Sequence, residues 1–156
     1  MSVIGLLHPE VIALDPPWSG FRDTVAGLVS TLVAVGRLAP DRQADAVRAV
    51  VTREAEQSTA VLDTAVGVPH ARLQGLAETS VALGISNEGF YEPVPTVRIR
   101  IVALVLSPPG ASDEHLRVLA GIATLLRSSS LRRALLDASS RQAAWEALRA
   151  HAHVPP

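Results

Sequence analysis

The six residues Ile101-Val102-Ala103-Leu104-Val105-Leu106 form an unbroken apolar run, and that run limits the folds open to the chain. Crossing a bilayer as a helix takes about 20 apolar residues, and even when extended back to Ile99 the stretch falls far short and contains Arg100. A short apolar run without alternation, closed by Pro108-Pro109-Gly110, predicts a strand at the centre of a sheet. Thr64 to Val68 and Thr79 to Ile85 share its Val/Ile/Leu-rich character, and Asn87-Glu88-Gly89 and Pro93-Val94-Pro95 supply turns between strands. The last strand is expected over Val97 to Leu106, with Arg98 and Arg100 making one end wetter.

Helical spacing frames these strands on both sides. Val25, Leu28, Val29, Leu32 and Val33 recur on one face between Ser19, read as an N-cap, and Gly36. A second helix is expected from Pro40, at the first helical position, through Val47, Val50, Val51 and Ala55 to about Gln57, with Arg42, Arg48 and Arg53 on its polar face. A third follows Ser112 as N-cap, with Asp113 and Glu114 suited to the helix dipole and an apolar face of Leu116, Leu119, Ile122, Ala123 and Leu126. Shorter helices are expected at Ser130 to Ala138 and Ser140 to Ala150, before a fraying tail over 150–156. The fold class is therefore α/β, a mixed central β-sheet flanked by helices on both sides, and 156 residues suit a single domain over 1–156.

Composition removes several functions. All 14 basic residues are arginine, so a Schiff-base lysine and a P-loop lysine are absent. A net charge of -1, scattered arginines and 3% aromatic content do not make a nucleic-acid footprint. With no cysteine there is neither a disulfide framework nor a thiolate metal site. No basic secretory leader opens the chain, which leads to a cytoplasmic expectation without membrane insertion.

The segment Val66-Gly67-Val68-Pro69-His70-Ala71-Arg72-Leu73 carries the main chemical signal. It presents an imidazole just after an apolar run, behind a proline that stiffens the backbone. Such a histidine serves either as a phosphoryl-accepting nucleophile or as a structural group at a strand end, and local sequence leaves both open.

Taken along its length, the chain resembles the enzyme IIA domains of the fructose/mannitol class of the bacterial phosphoenolpyruvate-dependent sugar phosphotransferase system, which include the nitrogen-regulatory IIA proteins. The resemblance rests on Leu7-His8-Pro9-Glu10-Val11-Ile12-Ala13-Leu14, on Arg53-Glu54 before Ser58-Thr59, on Val68-Pro69-His70-Ala71-Arg72, and on Glu114-His115-Leu116-Arg117-Val118-Leu119-Ala120. It implies that His70 accepts a phosphoryl group from the histidine-containing phosphocarrier protein and passes it to a IIB domain. It also implies that Arg53 and His115 line the phosphohistidine site, where cationic and hydrogen-bonding groups steady the charge of a moving phosphoryl. The N-terminus of the Ser112 helix is expected to add backbone donors.

One departure from the family pattern stands out. The usually glycine-rich stretch before the histidine reads Thr59-Ala60-Val61-Leu62-Asp63-Thr64-Ala65-Val66-Gly67, one residue longer, and glycines there would allow positive φ. This keeps a second function in play, a regulatory signalling module that binds target proteins according to phosphorylation state, and a third, an interaction domain without phosphoryl chemistry. Val68, Leu73 and Leu76 are expected to form an apolar docking rim around His70. Arg72 is read as rim or partner-facing, His8 as a turn residue before Pro9, Trp18 and Trp145 as packing anchors, and Arg132-Arg133 as an exposed pair. The His151/His153 pair lacks a third ligand, so neither a metal nor an organic cofactor is expected. A homodimer and the identity of any sugar stay open.

Overall fold

A computed structural model describes residues 3–152. The strands are β1 (Ile12–Leu14), β2 (Ala60–Val61), β3 (Val66–Gly67), β4 (His70–Arg72), β5 (Ser80–Ile85), β6 (Tyr91–Val94), β7 (Val97–Ile99) and β8 (Ile101–Ser107). The helices are α1 (Phe21–Ala34), α2 (Gln43–Glu56), α3 (Ser112–Leu126), α4 (Ser129–Asp137) and α5 (Arg141–Ala152), with short 3-10 turns at Val3–Leu6, Pro9–Val11 and Pro40–Arg42.

The mixed sheet runs β1-β5-β8-β3-β2, with β4 also pairing β8. β5 and β8 are antiparallel from Ser80 opposite Leu106 to Ile85 opposite Ile101, while β1 is parallel to β5. Side chains alternate across a strand, and here each face closes its own core. Val102, Leu104 and Leu106 join Val25, Leu28, Leu32 and Val50 of α1 and α2. Ile101, Ala103 and Val105 join Val118, Ile122, Leu131, Leu135 and Leu148 of α3, α4 and α5. Helices cover both faces, as the sequence predicts, and the apolar run is the central strand because neither face meets water.

The strand expected over Val97 to Leu106 is instead two. Val97–Ile99 pairs with Tyr91–Val94 in a separate hairpin, and Ile101–Ser107 enters the central sheet. Arg100 is the joint: its backbone N–H donates to Ala65 O, and its carbonyl accepts from Ser86. The expected Thr64–Val68 strand shrinks to β3, and Thr64 and Ala65 belong to the preceding turn. Ser19 is not an N-cap; Gly20 occupies that place with φ 93°, and the Asp23 carboxylate accepts from Ser19 N–H at 2.9 Å. Likewise Ala111 precedes α3 and Ser112 is its first residue. α5 continues through Ala152, so His151 belongs to the helix and not to a fraying tail; His153 and the rest of that tail lie outside the described residues. Among the described residues no helix is long and apolar enough to cross a membrane.

Ala65 takes φ 57°, left-handed backbone that a side chain resists. The glycine-poor loop therefore still makes a positive-φ turn, held by Ala65 O accepting from Arg100 N and Ile101 N. Gly27 has a different reason: a methyl there would collide with the Trp18 indole, which also stacks on Phe90 with ring centroids 6.1 Å apart.

Two stability measurements check this reading. Gly27→Ala, although alanine gains about 1 kcal/mol in helix propensity, is expected to lower stability in urea melts because overpacking costs about 1–3 kcal/mol. Ala65→Gly is expected to raise stability by about 0.5–1 kcal/mol through relief of the left-handed backbone.

Candidate functional site

β3 and β4 run along the same edge of β8 in one parallel register, Val66 opposite Ile101 and His70 opposite Val105. They are parted at Val68-Pro69, where proline offers no N–H to the ladder. Val105 N–H donates to Pro69 O, so that carbonyl faces β8. Carbonyl directions alternate along a strand, which turns the Val68 carbonyl to the open edge. There it lies 2.9 Å from His70 Nδ1. A carbonyl only accepts, so the bond requires the proton on Nδ1. In the neutral ring Nε2 then carries the lone pair, and no partner engages it among the described residues. This is the form of imidazole that attacks phosphorus.

Three elements converge on that nitrogen. The core stripe of α2 passes through Ala46 and Val50, and the next position along it is Arg53, half-buried in the last turn. The buried stripe of α3 is His115, Val118, Ile122 and Leu126, so the helix meets the sheet with a histidine at its first turn. β4 adds His70 and, one alternation on, Arg72. His70, Arg53, His115 and Arg72 line one cavity of about 740 Å³ together with Glu56, Leu116 and Leu119. The rings of His70 and His115 meet edge-on, centroids 5.3 Å apart.

The apolar series of β8 stops at Ser107, fully buried, whose Oγ lies 2.7 Å from His115 Nδ1 and accepts from Thr79 Oγ1 at 3.4 Å. That hydroxyl satisfies one ring nitrogen of a histidine only 5% exposed. Burial lowers the His115 pKa, and the electrostatic influence of the neighbouring His70, Arg72 and Arg53 lowers it further, which favours the neutral ring. The site thus pairs a neutral, fixed hydrogen-bonding ring with two guanidiniums beside a free imidazole nitrogen. Among the described residues no three histidines or carboxylates are grouped to hold a metal.

All three histidine and arginine candidates from the sequence, His70, His115 and Arg53, are brought to this cavity. Glu54 is not: it turns to the loop and accepts from Thr59 N–H and Thr59 Oγ1, both at 2.7 Å. Arg72, expected at the rim, is exposed, lines the cavity and donates to Ser112 Oγ at 2.9 Å. The apolar rim falls elsewhere than expected. Leu73 is buried, and Val68 and Leu76 pack against the two cores, whereas Leu116, 61% exposed, stands at the cavity. The α3 wall is His115, Leu116 and Leu119, not the Ser112 turn that was expected to offer backbone donors. Ser107 and Thr79 escaped sequence reasoning; the polar residue that ends an otherwise apolar strand was the available signal.

The family model described as phosphoenolpyruvate-dependent sugar phosphotransferase system, EIIA 2, matches residues 5–151. The chain is 29% identical over 140 residues to the PTS system fructose-specific EIIA component of Haloferax volcanii, covering 89% of each. It is 28% identical over 152 residues to the PTS system fructose-specific EIIABC component of Bacillus subtilis, 97% of this chain but 24% of that one, so it spans about a quarter of that relative's length. Its fold matches the crystal structure of nitrogen regulatory protein IIA-Ntr from Neisseria meningitidis with a TM-score of 0.79 and 26% identity, over 94% of this chain and 98% of the other.

The His115 environment has a signed pH consequence. Its folded pKa lies below the ordinary 6.5, so the unfolded chain binds this proton first as pH falls. Its contribution to stability is level above pH 6.5 and declines below it. Urea melts of the native chain and His115→Asn are expected to diverge in pH dependence below 6.5, the variant having the shallower loss; equal slopes would refute the assignment.

Proposed function

Because the chain belongs to the phosphoenolpyruvate-dependent sugar phosphotransferase system EIIA 2 family, we propose that His70 is its phosphoryl acceptor and that Nε2 is the atom that takes the group. The observation that carries this is the Nδ1–Val68 bond, which leaves Nε2 as the nucleophilic nitrogen of a residue lining the arginine cavity. The Nε2 lone pair forms the new N–P bond as the bond to the donor's phosphohistidine nitrogen breaks, and that nitrogen keeps the electron pair. The Val68 carbonyl steadies the positive charge that the His70 ring gains. Arg53 and Arg72 face the charge spread over the equatorial phosphoryl oxygens, and a neutral His115 adds a hydrogen bond without the repulsion that a second imidazolium would bring.

The donor in this reading is the histidine-containing phosphocarrier protein and the acceptor a IIB domain, with Leu116 beside the cavity as an apolar contact for short-lived docking. The reaction would run in the cytoplasm, where those partners act. Similarity to a protein named nitrogen regulatory supports a second use of the same phosphorylation, as a signal read by a target protein.

The test is phosphorylation of the purified chain by phosphoenolpyruvate, enzyme I and the phosphocarrier. The native chain is expected to gain one acid-labile phosphate, mapped to His70 by mass spectrometry and to Nε2 by nitrogen-15 NMR, and His70→Ala none. Arg53→Gln is expected to keep the site but slow transfer about 10²-fold or more. A native chain left unmodified by an active carrier, or a phosphate on another residue, would overturn the reading.

A further inference from the structure

The opposite end of the central strand holds a second polar cavity, of about 370 Å³, into which the loop before β3, the β5–β6 turn and α4 all reach. Ile101 lines it, whereas Ser107 at the other end of β8 belongs to the histidine site, so the two lie roughly 20 Å apart at about 3.3 Å per residue. Its walls include three arginines, Arg100, Arg132 and Arg133. Arg100 donates through Nε to Asn87 O at 3.2 Å, and Arg132 donates to Leu126 O and Arg127 O, both at 2.8 Å. None of these acceptors carries a formal charge; they hold the guanidiniums in place, and the two carbonyls at the C-terminus of α3 offset the Arg132 charge only in part. Arg133 is exposed, and its side chain has no hydrogen bond among the described residues.

The ion pairs among the described residues lie elsewhere, Arg42–Asp45, Arg48–Asp45 and Arg98–Glu92. None involves the three cavity arginines, although Asp137 is in the same wall. Three arginines face one carboxylate there, two of them held in place by backbone carbonyls, which leaves the cavity with an excess of positive charge that suits an anion. Guanidinium donors match the planar, multi-oxygen edges of phosphate, and the volume falls within the range of small-ligand sites. The loop that departs from the family pattern supplies Thr64 and Ala65 to the wall, Ala65 in its left-handed conformation with its carbonyl bound to Arg100 N.

We propose that this cavity is a binding site for a small phosphate-bearing anion, separate from the histidine site. Guanidiniums from Arg100, just before β8, and from α4 grip the phosphate oxygens, and the 59–67 loop closes one side. Because that loop leads through Val68 to His70, an occupant at the far end stiffens the segment that holds the reactive ring.

The test is calorimetric titration of the whole chain at low salt with pyrophosphate and, separately, citrate, together with amide NMR shifts under pyrophosphate. Saturable pyrophosphate binding is expected, tighter than citrate, with shifts centred on Ala65, Asn87 and Arg133. Arg133→Gln, at an exposed residue whose side chain has no partner among the described residues, is expected to fold normally and weaken binding about tenfold; Arg53→Gln is expected to leave it intact. Absence of saturable binding, citrate binding as tightly as pyrophosphate, or affinity lost with Arg53→Gln and kept with Arg133→Gln would overturn the proposal.

Discussion

Burial of β8 on both faces is the constraint on which the rest of the structure depends. Because its residues alternate between two closed cores, sliding the strand by one position would exchange every contact with α1 and α2 for contacts with α3, α4 and α5. The register is therefore fixed, and with it the position of Ser107 on the α3 face, opposite Arg72 of β4. His115 meets a hydroxyl and not a methyl because the apolar series ends one residue earlier. The geometry of the site is set by hydrophobic packing several residues away from any polar atom in it.

The open edge of β4 does the rest. An interior strand would have had neighbours on both sides; β4 pairs β8 alone, so a helix from each face can reach round it. Arg53 comes from the α2 side, His115 from the α3 side, and His70 sits between them. Burial and surrounding positive charge keep His115 neutral, while the arginines supply the cations. A buried ring that must stay uncharged and less buried guanidiniums that are always charged divide the electrostatic work between them.

Much of this was legible in the chain. The period of α1 to α5 and the apolar run of β8 carried the layer order, since each buries a stripe or a face long enough to repeat. β1, β4 and β6 did not show, because three or four residues give no period, and their pairing is decided by neighbours distant in sequence. The break at Arg100 was hidden for a related reason: its alternation with Ile99 and Ile101 suits a continuous strand, and only the tie to Ala65 ends one and begins the other. His70, Arg53 and His115 were named by resemblance and meet in space. Arg72, exposed on β4, lines the cavity from its rim, whereas Leu73, expected outside, fills the α2 core because sequence does not say which face of so short a strand is covered.

The shortness of β4 has a bearing on how the molecule behaves in a crowded solution. An unpaired strand edge is a template on which foreign chains can add, and long flat apolar edges seed aggregates. Here the bare edge is three residues long, is broken just upstream by a proline, and carries an exposed arginine. The features that leave it reachable for another protein's side chain deny it the length that another protein's backbone would need. Accessibility and colloidal safety are met by the same few residues.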